Sequence, residues 1–274
     1  MSAPSIKSSF FHSVLVTLVV GCISSPGFAD TRAPWVGETL EGRKCLGRSI
    51  GFGPYDYLRR ANFPAELEVV ENAHFTPAVE KLEAGNTATA ISDIAYTLMA
   101  WPNHHRALHS AMKYRMMFWE WPENAKAPPA ECQMQRAMAF SPNDPTPYMM
   151  YGLLLHKSKQ YEKALFAYRA ANSLRPDDVL TLYNMGLTLM ELEQYDEAEA
   201  VASTVYAAGM PLPGLKNKLI AADHWQTDSK EVTVEKSAPQ VTLQTPEELS
   251  KEAATIDKPE STDNPSPAAT SPSR

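Results

Sequence analysis

Apolar residues between Pro145 and Met210 recur at helical spacing, stop, and recur again. Tyr148, Tyr151, Gly152 and Leu155 form one run. A polar break from Lys157 to Gln160 follows, then Tyr161, Ala164, Tyr168 and Ala171, and Pro176 closes the unit. The same order returns 34 residues later: Leu182, Met185, Gly186 and Leu189, a break at 191–194, then Tyr195, Ala198, Ala202 and Val205, with Pro211 one residue late. Each copy predicts two antiparallel helices joined by a short turn. Gly152 and Gly186 fall mid-helix, where glycine costs about 1 kcal/mol against alanine. The compensation expected is close approach of the paired helix near Ala164 and Ala198. Pro176 stops one helix, and Asp177 and Asp178 are placed to cap the next.

The pattern upstream is weaker. Residues 30–75 read as an irregular Gly/Pro segment, centred on Gly51 to Tyr57, with a short extended piece at Glu66 to Val70. Residues 76–144 read as degenerate helix pairs. Thr76 and Pro77 open a helix over Ala78 to Ala84, and Ala88 to Ala100 forms another that Pro102 ends. This makes a first unit starting near Glu71. A front helix over Asn103 to Trp119 pairs with Ala130 to Phe140 across a loop from Trp121 to Pro129. Ser141-Pro-Asn-Asp144 echoes Arg175-Pro-Asp-Asp178 at the same shift of 34, so units 111–144, 145–178 and 179–212 tile, with Phe118 at the glycine position. In residues 213–225, Gly214 to Asp223 predicts a capping helix that covers the last unit with Leu215, Leu219 and Ile220, as a solenoid end requires. The remainder, 226–274, is acidic and rich in Pro, Ser and Thr; its composition predicts a disordered tail, serving as a spacer, a partner-binding peptide or a dispensable extension.

The twice-stated pattern at 145–212 resembles the tetratricopeptide repeat (TPR), with Gly152, Ala164, Pro176, Gly186 and Ala198 at structural repeat positions. The resemblance implies an all-α solenoid of antiparallel helix pairs whose work is binding a protein or peptide partner. In that family the front helices line a concave groove. Carried over, its positions are Thr146, Met149, Leu153, His156 and Lys157, then Leu180, Tyr183, Leu187, Met190 and Glu191. Asn184 matches one member of the family's carboxylate-binding clamp, but Met149 and Leu153 occupy others. The groove is therefore largely apolar and suited to an amphipathic helix or extended apolar peptide. A second arrangement is open: the N-terminal Gly/Pro segment could fill the groove and make these residues core. Gly51 to Tyr57, His74 to Pro77 and Tyr96 to Ala107 also resemble exported bacterial TPR proteins, over roughly 45–225.

Composition narrows the setting. The 274 residues carry a formal net charge of −7, which argues against nucleic acid as a partner. Residues 1–29 read as an export signal, with Lys7 ahead of an apolar run from Phe10 to Val20. Two exits stand open: cleavage after Ala29, or lipidation of Cys22 in Val19-Val20-Gly21-Cys22. Either places the protein in the periplasm or at the outer membrane, with lipid-anchored membrane association in the second case. In an oxidising compartment the other two cysteines, Cys45 and Cys132, are expected to pair. His104, His105 and His109 supply the alternative function, a metal-binding or metal-dependent envelope protein, because His105 and His109 share a helix face. Spacing dictates no third ligand. No catalytic constellation, phosphate loop or cofactor motif is found; Pro54 and Tyr55 stand where a nucleotide loop needs a glycine and a helix start.

Overall fold

The computed structural model describes residues 33–122 and 125–225. The stretch expected to be an export signal, Cys22 and the acidic tail lie outside the described residues. Among the described residues the fold is all-α. A 3-10 helix, Tyr57–Asn62, leads into α1 (Pro64–His74), α2 (Pro77–Glu80), α3 (Ala90–Ala100), α4 (His105–Met117), α5 (Ala130–Phe140), α6 (Pro145–Lys157), α7 (Tyr161–Leu174), α8 (Val179–Glu191), α9 (Tyr195–Ala207) and α10 (Gly214–Ala221). Front helices α1, α4, α6 and α8 pack against back helices α3, α5, α7 and α9, and α10 closes the end against α8 and α9. No described helix is long and apolar enough to cross a membrane.

Local chemistry sets the helix boundaries. Asp144 and Asp178 cap α6 and α8, accepting from the amides of Thr146 (3.1 Å) and Thr181 (2.9 Å). Asp177 does not share that work; it sits at φ +62, turning the chain into the cap. Lys159 and Glu193 hold the two short front-to-back turns at φ +64 and +57. Thr76 occupies the cap position of α2 without a side-chain bond, and Leu82 at φ +65 stops that helix early, at Glu80 rather than Ala84. Glu66 to Val70 is helical within α1, not extended, because Pro64 starts a helix there.

The spacing of the pairs also differs from the expected tiling. α6 and α8 begin 34 residues apart, but α4 and α6 begin 40 apart, at His105 and Pro145. The back helices α3 and α5 are likewise 40 apart, at Ala90 and Ala130. The additional residues of the α4–α5 pair sit in its connection. Met112, not Phe118, therefore stands at the glycine position; Phe118 is the residue that ends α4, and it is exposed.

Two core clusters share a border. Leu98, Leu108, Met134 and Leu154 belong to one, Tyr168, Leu189, Val205 and Leu215 to the other, and Met149, Tyr151 and Leu153 pack against both. Gly152 lets Tyr168 of α7 approach: a Cβ there would lie 2.9 Å from its ring. At Gly186 the close neighbour is Leu215 of α10, 2.5 Å from a built Cβ, and not the region of Ala198. Ala202 occupies the place that Tyr168 holds one repeat earlier, and the capping helix takes up that space.

Candidate partner-binding face

The N-terminal segment is tied to a back helix. Gln135 of α5 brackets the backbone of Glu38, accepting from its amide (3.1 Å) and donating to its carbonyl (2.7 Å). Glu131 accepts from the Leu40 amide, and Arg136 donates to the Ala33 carbonyl at 3.0 Å. Arg136 is buried and meets carbonyls rather than a carboxylate; burial lowers its pKa to about 10. Cys45 and Cys132 form a disulfide, Cα to Cα 5.4 Å, as the sequence suggested. The buried Arg115–Glu131 pair (3.0 Å) lies beside this strap and adds Glu41 to its contacts. Further along, Tyr55 and Phe63 pack with Trp101, so the glycine-rich stretch is an aromatic turn laid against α3.

The strap contacts run along α5, and Leu40 also reaches the turn after α6, where Gln160 donates to its carbonyl at 3.3 Å. Thr146, Met149, Leu153 and His156 are half-buried on α6, and Lys157 is exposed. On α8, Leu180 is 48 % exposed, Asn184 and Leu187 are half-buried, and Glu191 is exposed. Tyr183 and Met190 are buried in the core instead; α10 covers this side, with Gly214 beside the Tyr183 hydroxyl. His156 bridges the two front helices through Thr188 (2.9 Å), and Glu191 pairs with Lys218 of α10 (2.9 Å). Burial lowers the His156 pKa, with Lys157 adding to the shift, so the ring is neutral at neutral pH. The Asn184 amide donates one of its two hydrogens to the Leu180 carbonyl one turn back. Lys157 also borders a cleft of about 350 Å³ between the strap and the helix ends, lined by Leu40, Glu41, Arg115 and Trp119.

The 40-residue offset adds a wall that the sequence reading missed. Residues of α4 equivalent to the α6 face are Arg106, His109, Lys113, Met116 and Met117. Met116 is half-buried; the other four are exposed. The signal was present: Pro102-Asn-His104 precedes α4 as Pro142-Asn-Asp144 precedes α6, at a shift of 40.

The three candidate metal ligands do not converge. His104 is fully buried; its Nδ1 accepts from the Ala107 amide as a helix cap, leaving Nε2 to donate to Glu71 at 3.0 Å. His105 donates to Asp144 at 2.7 Å, and that carboxylate also receives Asn103. His109 is exposed one turn further along α4, and no carboxylate bond to it is seen among the described residues. No group of three His, Cys, Asp or Glu able to hold a metal occurs among the described residues. Adjacency in sequence misled here because the cap residue His104, the first helical residue His105 and His109 one turn later have separate structural partners.

Residues 123–205 match the family described as anaphase-promoting complex, cyclosome, subunit 3, a TPR-like repeat family, and the match spans α5 to nearly the end of α9. No curated protein and no solved structure matches the chain.

Proposed function

From the premise that this is a tetratricopeptide-type repeat protein, we propose that it holds a segment of a protein partner against its front helices, as an adaptor or assembly factor of a bacterial cell envelope. The observation that carries this reading is the outward face of α6 and α8, where Met149, Leu153, Leu180 and Leu187 remain partly exposed beside fully packed neighbours. Burying one such side chain contributes about 1.5–3 kcal/mol when it starts fully exposed, and proportionally less here. Hydrophobic burial supplies affinity, while His156, Lys157 and Glu191 at the helix ends set register. No bond-making step is assigned to the protein.

Export to the periplasm, or retention at the outer membrane through Cys22, accompanies this proposal. The leading apolar stretch and the Cys45–Cys132 bridge support it. A photocrosslinker placed at Leu180 in the native envelope should capture a polypeptide that one placed at Ser203, on the back helix α9, does not. Leu187→Asp should abolish that capture with helix content unchanged by circular dichroism. Capture that persists in Leu187→Asp rules out this face.

A further inference from the structure

The wall that α4 adds changes the character of the front face. Lys113 on α4 and Lys157 on α6 are exposed and have no carboxylate partner among the described residues. Arg106 on the same face is committed to Glu80 and Glu71, so it does not contribute a free cation. On the same two helices Met116, Met149 and Leu153 are half-buried against one core cluster, and Met117 is 63 % exposed. Flexible thioethers adapt to the shape of an apolar ligand. The face thus asks for an apolar stripe flanked by carboxylates.

The chain contains such a segment. Thr245-Pro-Glu-Glu248 has the order of a helix start: a capping threonine, proline in the first turn, and glutamate three residues after the cap. Leu249, Ala253 and Ile256 follow at the spacing of one helical face, Glu247, Glu248, Glu252 and Asp257 supply carboxylates, and Pro259 ends the pattern. The described chain leaves α10 at Trp225, whose ring meets Tyr206 of α9 edge-on. From there to Thr245 is about 20 residues, a reach of up to about 65 Å. Front helices are about 20 Å long and neighbours lie about 8–10 Å apart, so the tether spans the face. A tether of this kind gives an effective concentration on the order of millimolar, enough to fill a weak site.

We infer that residues 245–258 dock on the α4–α6 front face as a tethered acidic occupant, which a partner must displace. This rests on the reading of the front helices as the docking site and extends it from α6 and α8 to α4. The test uses the full chain labelled at its methionine methyl groups. Replacing Leu249 and Ile256 together by Asp should move the Met116, Met117 and Met149 resonances and leave that of buried Met134 in place. A synthetic peptide of residues 243–260 should bind this variant and return the resonances. Adding K113E and K157E should weaken the peptide by about tenfold, the equivalent of two modest ion pairs reversed. Unmoved resonances in the L249D/I256D chain overturn the inference, as does peptide binding indifferent to the lysine reversal. Photocrosslinks from position 249 that join two copies would also overturn it and assign the face to a second chain. If the methionines stay still while position 180 continues to capture a partner, the docking face stands and only its internal occupant is wrong.

Discussion

Gly152 and Gly186 occupy the same repeat position but answer to different neighbours. At Gly152 an added Cβ meets three atoms of the Tyr168 ring at 2.9–3.0 Å, and that ring is fully buried and rigid. At Gly186 it meets the end of the Leu215 side chain, which can rotate. Gly152→Ala should therefore cost about 1–3 kcal/mol, and Gly186→Ala less, in urea unfolding. The reverse order would show that α10 is held more tightly than the α6–α7 crossing. The Tyr168 hydroxyl is buried without a partner among the described residues, and burial pushes its pKa far up. Tyr168→Phe keeps the ring against Gly152 and removes the unsatisfied oxygen. It should raise stability by about 1 kcal/mol, read as a higher melting temperature.

The N-terminal strap works as an element because α5 reads its backbone. Gln135 and Glu131 hold the Glu38 and Leu40 amides, and the disulfide fixes the far end at Cys132. The bridge closes a loop with a sequence separation of 87, which corresponds to about 4–5 kcal/mol in the chain-entropy account. Cys45→Ala with Cys132→Ala should lower unfolding free energy by about that amount. Removing one partner of the buried Arg115–Glu131 pair, as in Glu131→Ala, should cost about 3 kcal/mol, since buried Arg115 is left with only the partly exposed Glu41 as a carboxylate partner. The helix pairs at 145–207 were legible in the sequence because two copies state the same period. The strap's placement was not: nothing in residues 33–45 reveals that its amides would find the side chains of one particular helix. The α4 face was legible only at a shift of 40, which the stronger 34-residue signal concealed.

Across the molecule, acid acts on one seam. Burial holds the His104 pKa below its ordinary 6.5, against the opposing pull of Glu71. Between the unfolded and folded values the unfolded chain binds a proton that the folded chain does not, so protons favour unfolding. Stability should begin to fall as pH drops below about 6.5. Asp144 and Asp93 extend the loss. Burial pushes both carboxyls up, but hydrogen bonds outweigh it, from His105, Asn103 and the Thr146 amide in one case and from Thr87, His74 and the Asn86 amide in the other. Their folded pKa values lie below the ordinary aspartate value, so their contribution is present above that value and is lost as pH falls from it toward the folded pKa. Chemical unfolding across pH 7 to 3 should show a first decline that His104→Gln reduces, followed by a second that it leaves intact.

Local periodicity settled the two regular pairs and the Asp178 cap between them, because those depend on residues a few positions apart. Composition pointed to the Cys45–Cys132 pair, because an expected export signal left those two thiols to join. Tertiary packing alone decided which back helix receives the strap, that α10 rather than α9 fills the space at Gly186, and that the three histidines serve separate bonds. Those outcomes depend on contacts between residues far apart in the chain, and spacing along the backbone carries no record of them.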